Sequence, residues 1–127
     1  MKRMKFNFFI GGYLGSQFEV RLQGDDLQFF ISKGPMHMKS ATVPNYVISV
    51  VNNKDWHKLV KFIETLNWKR TYSNDDILDG TQWALVFESE EKKLNCSGSN
   101  DYPPEFDKLT RRVNAFARKH NLPFNMY

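Results

Sequence analysis

Three short runs near the start of the chain carry the same signature. Phe6, Phe8 and Ile10 alternate with other residues, as do Phe18, Val20 and Leu22, and again Leu27, Phe29 and Ile31. A period of two puts each set on one face of an extended strand, so three successive strands offer a sheet with one apolar side. The cluster Gln23-Gly24-Asp25-Asp26 between the second and third runs suits a hairpin turn. Gly11, Gly12 and Gly15 loosen the connection before the second run in a similar way. Asn-Tyr-Val-Ile-Ser-Val-Val at 45–51 predicts a fourth strand, after a less regular stretch at 33–44.

The pattern then changes period. Asn52 or Asn53 can cap a helix, because a short side-chain oxygen accepts from the free amides of a first turn. Trp56, Leu59, Val60, Ile63 and Leu66 follow at helical spacing, with Lys54, Lys58, Lys61 and Glu64 largely on the other side. The spacing predicts a helix that stops near Asn67. Residues 68–72 suit a short strand, and 73–80 a loop leading into a strand built on Trp83, Leu85 and Phe87. The charged segment 89–93 turns that strand back toward Leu94 and Cys96. A last helix is expected from Pro103 or Pro104, where a fixed φ and a missing amide hydrogen do no harm. Phe106, Leu109, Val113 and Phe116 give it an apolar face. Asp101, Glu105 and Asp107 lie near its positive end, and Arg118, Lys119 and His120 near its negative end. The order β-β-β-β-α-β-β-β-α predicts an α+β fold: a two-layer sandwich with a mainly antiparallel sheet and both helices on one face.

Composition fits one folded unit. A chain of 127 residues is most simply a single domain, 1–127, and can bury a real core. A hydrophobic fraction of 41% and an aromatic fraction of 15% argue against disorder. The single cysteine excludes an internal disulfide and a multi-cysteine zinc site, and leans toward a reducing compartment and a cytoplasmic location. Basic residues precede apolar ones at the N-terminus, but Asn7 breaks that run and Gly11-Gly12 ends it, so a first strand is expected there instead of a secretory signal. No stretch has the length of a membrane span. The net charge of +4 is uneven: residues 73–104 hold two basic and seven acidic groups, while the segments on either side are positive. No run of Lys or Arg exceeds two residues, so the positive groups read first as a solvated surface.

The densest stretch is Ile-Leu-Asp-Gly-Thr-Gln-Trp at 77–83, followed by Gly-Ser-Asn-Asp-Tyr-Pro-Pro-Glu-Phe at 98–106. It explains itself as joinery. Asp79-Gly80 supplies positive φ for a turn, Thr81 begins a strand, and Trp83 drops a ring into the core. Gly98 lets the chain leave the next strand, and Ser99, Asn100 and Asp101 satisfy loose amides. The same phrases resemble an uncharacterised bacterial domain family. In it an aspartate-glycine-threonine-x-tryptophan strand start precedes a hairpin, and a Gly-Ser-Asn-x-Tyr-Pro segment leads into the final helix. The resemblance spans about residues 56–117 and implies a fold without implying a known activity or catalytic residues.

Catalytic and metal chemistry find little support. A nucleophilic Cys96 needs a base and an exposed, acidified thiol, and its strand phase, shared with Leu94, points inward. His37, His57 and His120 are scattered. Asn74-Asp75-Asp76 with Asp79 lacks the spacing of a calcium loop, and Met36-His37-Met38 is an isolated pair of soft donors around a histidine. Phosphate-cradling and zinc-hydrolase motifs are missing, and Gly11-Gly12-Tyr13-Leu14-Gly15 has no dinucleotide spacing. No metal and no cofactor are expected.

The opposite strand phase is more informative. Phe9 and Phe30, with Val47 and Val86, fall on the side away from the expected helices, beside Glu19, Arg21 and Gln82. An apolar strip there, with Arg21 at its margin, marks a contact surface for another protein or a second copy. A small non-enzymatic binding or accessory protein is the leading expectation. The alternative is nucleic-acid binding by a basic face made of Arg111, Arg112, Arg118 and Lys119 with Lys58, Lys61, Lys69 and Arg70. A third is a hydrolase-like enzyme using carboxylates of the acidic 73–101 region, such as Asp75, Asp76 and Asp79.

Overall fold

The computed structural model describes residues 4–12, 15–33, 43–74 and 80–126. These form strands β1 (Lys5–Gly12), β2 (Ser16–Gln23), β3 (Asp26–Lys33) and β4 (Tyr46–Ser49), then helix α1 (Lys54–Glu64). They continue with β5 (Thr71–Ser73), β6 (Thr81–Glu88), β7 (Lys93–Ser99) and helix α2 (Phe106–Lys119). The strands make one seven-stranded sheet in the order β4-β3-β2-β1-β6-β7-β5. Every pairing is antiparallel except β5 with β7. β1 to β4 are laid down edge by edge, so α1 must carry the chain from one margin of the sheet to the other. That traverse brings β5 in parallel to β7, a pairing the strand pattern cannot foresee.

The expected phase of the strands holds. Phe6, Phe8, Ile10, Val20, Leu27, Phe29, Trp83, Leu85, Phe87, Leu94 and Cys96 are buried in one core. Both helices cover that side: Trp56 of α1 meets Phe6 at 5.6 Å between ring centroids, and Phe106 and Phe116 of α2 meet Phe8 and Phe29 at 5.9 and 6.3 Å. Each large side chain buried this way stabilises the fold by about 1.5–3 kcal/mol before entropy is charged. The architecture is an α+β two-layer sandwich.

Local chemistry sets the element ends. Asn53 caps α1, its Oδ1 accepting from the Trp56 amide at 3.0 Å. The helix ends at Glu64, short of Asn67, because Thr65 and Leu66 close a tighter turn onto Phe62 and Ile63. α2 begins at Phe106 and not at Pro103 or Pro104: the Phe106 amide bonds to the Pro103 carbonyl, and Glu105 takes a φ of 68°. The two-residue turn Gly24-Asp25 closes β2 onto β3, with Gly24 at a φ of 62°.

The C-terminal segment contributes more than its position suggests. Asn121, at a φ of 62°, turns the chain back, and the Leu122 amide bonds to the Ala117 carbonyl at 2.9 Å. Phe124 then packs against Phe29 and Phe18 at 5.0 and 5.6 Å. Asn114 holds the Met126 backbone at both ends, its Nδ2 donating to the carbonyl at 3.0 Å and its Oδ1 accepting from the amide at 2.6 Å.

Candidate functional site

The Trp83 stretch is built as a joint. Trp83 and Gly98 are directly opposed across β6 and β7. The buried indole donates from Nε1 to the Asp101 carbonyl at 2.8 Å. Around it stand Trp68, Phe106 and Tyr72, with ring centroids 5.5, 5.1 and 5.9 Å away. Trp68 ties the same corner to the start of α2, its Nε1 donating to the Pro104 carbonyl at 2.9 Å. Asn100, at a φ of 58°, returns its amide to the Thr81 carbonyl at 2.8 Å. Two glycine assignments change. Gly80 does not adopt positive φ, and its missing Cβ makes room for the Asn100 side-chain oxygen. Gly98 lies inside β7, where a Cβ would collide with the Trp83 indole nitrogen. Asp79 lies outside the described residues.

Cys96 is buried in this layer with the Trp68 carbonyl 4.0 Å from its Sγ. Burial raises its thiol pKa, and the backbone at Asn95 and the charge of Lys92 offset this in part. His57 is exposed on α1, and His120 follows α2 with Nε2 3.5 Å from Asp55 Oδ2. His37, Met36, Met38, Asp75 and Asp76 lie outside the described residues. Among the described residues no cluster of three or more His, Cys, Asp or Glu side chains is placed to hold a metal ion.

The helix-free side of the sheet reads off the strand register in rows. One row runs Val47, Gln28, Arg21, Asn7, Val86, Asn95, and the next Phe30, Glu19, Phe9, Ala84, Ser97, Thr71. Val47 and Val86 are exposed, at 49% and 38%, and Phe9 and Arg21 are half-buried. Phe30 departs from the expected open strip: it is only 3% exposed, with the Arg21 guanidinium 4.5 Å over its ring. Arg21 is held there by Glu19, whose Oε2 accepts from Nη2 at 2.9 Å and Nε at 3.2 Å, and from Asn7 Nδ2 at 2.8 Å. Three charge-assisted or polar donors on one oxygen make a fixed network over the Phe30 ring. Phe9 lies along its strand over Gly11, where a Cβ would stand 3.1 Å from its Cζ. Toward β5 the face opens into Gln82, Asn95, Ser97 and Thr71, all exposed and uncharged.

The helices run antiparallel, with Lys119 beside Asp55 and Arg112 beside Phe62. A groove of about 230 Å³ between them is lined by Asp55, Lys58, Leu59, Arg112, Ala115, Phe116 and Lys119. Of the basic residues expected to act together, it unites Lys58, Arg112 and Lys119. Arg111 lines a separate hollow with Tyr102 and Phe106. Lys119 Nζ lies 2.8 Å from Asp55 Oδ1, and this contact holds the Asp55 carboxyl below its ordinary range. Arg112 sits 4.5 Å over the Phe62 ring.

A second hollow, about 780 Å³, lies at the end of the sheet near the Gly24 turn. Met4, Leu22, Val50, Val51 and Trp56 line it together with Asp25, His57, Glu64, Glu90 and Glu91. Ser89 Oγ donates to Glu64 Oε2 at 2.7 Å within it. Sequence reasoning missed this hollow because its walls come from five separate segments, none of which carries a local pattern.

The chain matches no protein-family model and no curated protein.

Proposed function

We propose that the protein acts by non-covalent association with another protein through the helix-free face of its sheet. The observation that carries this reading is the patch of Val86, Phe9 and Ala84 among uncharged Gln82, Asn95 and Ser97, bordered by the fixed Arg21–Glu19–Asn7 network. Sparse charge at the centre and oriented polar groups at the margin are what a protein interface uses. A rigid sheet presents them without an ordering cost on binding. A cytoplasmic setting belongs to the same proposal and is supported by the lone, buried thiol.

Val86→Asp tests it, because it puts a charge into the middle of the patch and leaves the core untouched. The expected outcome is loss of the proteins that the wild type retains in affinity capture, with unchanged circular dichroism and melting temperature. Equal recovery by both chains would overturn the reading. Phe30→Asp is unsuited to this purpose, since Phe30 is buried and its replacement would unfold the sheet.

The interhelical groove favours a second reading, nucleic-acid binding. α1 and α2 together carry eight Lys or Arg against three Asp or Glu. Lys58 and Arg112 stand over an apolar floor in the groove, without a carboxylate in ion-pair distance among the described residues.

A further inference from the structure

The two margins of the sheet are built differently. β5 at one margin is three residues long and follows Lys69-Arg70, the short, charged construction that keeps an open edge from pairing with other chains. β4 at the other margin is nearly as short, at four residues, but lacks the charge. No charged residue occurs between Lys39 and Lys54. Val43, Val47 and Val51, on β4 or flanking it, are 77%, 49% and 55% exposed. Among the described residues nothing pairs with the outer side of this strand.

Its backbone phase follows from the hairpin. The turn between Gln23 and Asp26 makes that pair the last one bonded within β2–β3, so Leu27 and Phe29 are left to bond with β4. The Val50 amide, bonded to the Asp25 carbonyl at 2.9 Å, keeps the same phase. Val47 and Ser49 therefore turn their peptide groups to the open side. The Ser49 carbonyl takes one long bond of 3.3 Å from Asn53 Nδ2, which leaves it a second lone pair.

We propose that β4 pairs antiparallel with β4 of a second copy, about a two-fold axis through Ile48, joining the two sheets edge to edge. In that register Val47 and Ser49 of opposite copies exchange hydrogen bonds. Ile48 meets its own counterpart on the helix side, and Tyr46 meets Val50. A second copy is the fitting occupant because the strand is complementary to itself: on the helix side it opposes Ile48 to Ile48 and Tyr46 to Val50, on the other side it sets Val47 beside the small Ser49, and it brings no like charges together, although the chain carries a net +4. The pairing uses the edge and does not rest on the partner proposed for the face.

Sedimentation velocity of the full chain over a concentration series tests it. A monomer–dimer equilibrium is expected. Val47→Lys, which blunts the edge, should weaken the dimer by about tenfold or more at unchanged circular dichroism, while Val86→Asp should leave it intact. Register is read separately. Ile48→Cys should form a disulfide-linked dimer under mild oxidation, since a pair on the two-fold without mutual hydrogen bonds brings the two Cβ atoms close. Tyr46→Cys should not, and neither should the wild type, whose Cys96 is buried. A wild-type chain that stays monomeric at every concentration, a dimer lost in Val86→Asp but kept in Val47→Lys, or an Ile48→Cys chain that resists oxidation would each overturn the proposal.

Discussion

Trp83 and Gly98 show how one residue's identity is set by another far away in sequence. The alternation of Trp83 with Leu85 and Phe87 already places the indole in the core. Why a glycine faces it is a matter of register, which the hairpin between Glu88 and Lys93 decides. The indole fills the space a Cβ would need and spends its N–H on the Asp101 carbonyl at 2.8 Å. Gly98→Ala should push the ring off both contacts and destabilise the domain by about 1–3 kcal/mol, the usual penalty for overpacking a filled core. Chemical denaturation with tryptophan fluorescence measures it, and an unchanged midpoint would show that the corner has slack. Phe30 teaches the converse. Its strand phase is plain in the sequence, but the guanidinium above it depends on a carboxylate two residues from Arg21 and an amide on the neighbouring strand.

At the level of elements, the helix pair is closed at one end by Asp55, Lys119 and His120. The Lys119 hydrogen bond is the main reason Asp55 ionises below its ordinary value of 3.8, and the charges of Lys119, His120 and Lys58 add to it against the cost of burial. A depressed carboxylate stabilises the fold at pH above its unfolded-state pKa and loses that contribution as pH falls through the folded-state value. Wild-type melting temperature should therefore drop as pH falls below about 4. Asp55→Asn should melt lower near neutrality and show a shallower acid limb. Lys119→Met should reproduce the larger part of that profile, since it leaves Asp55 with His120, and the double variant should destabilise by less than the sum of the two, because both changes remove the Asp55–Lys119 contact. The stripe of each helix is legible, and so is a cap at Asn52 or Asn53, of which the fold uses Asn53. The C-terminal strap is not, although Leu122, Phe124 and Met126 alternate as a strand does, because its anchor is the Asn114 side chain on α2.

At the scale of the whole molecule, charge among the described residues is unevenly spread. The helices carry the excess of Lys and Arg, and the hollow at the end of the sheet gathers Asp25, Glu64, Glu90 and Glu91. On the nucleic-acid reading proposed above, this excess is what would draw an anionic partner to the helical side. Lys58→Glu combined with Arg112→Glu should lower the salt needed to release the protein from single-stranded oligonucleotides on a column, by reducing the counterions displaced. Elution at the same salt as the wild type would leave the helical layer without a role in polyanion binding. Among the described residues no helix is long and apolar enough to cross a membrane.

The sequence by itself determined the period of every long element, hence the sandwich, its core side and the cap of the first helix. Those depend on residues within one turn or one strand of each other. The tertiary structure alone decided the parallel seating of β5, the burial of Phe30, the steric need for Gly80 and Gly98, and the edge at β4, unpaired among the described residues. Each of these is a relation between segments that meet because of connection and register, and chain-local periodicity holds no information about which neighbour arrives.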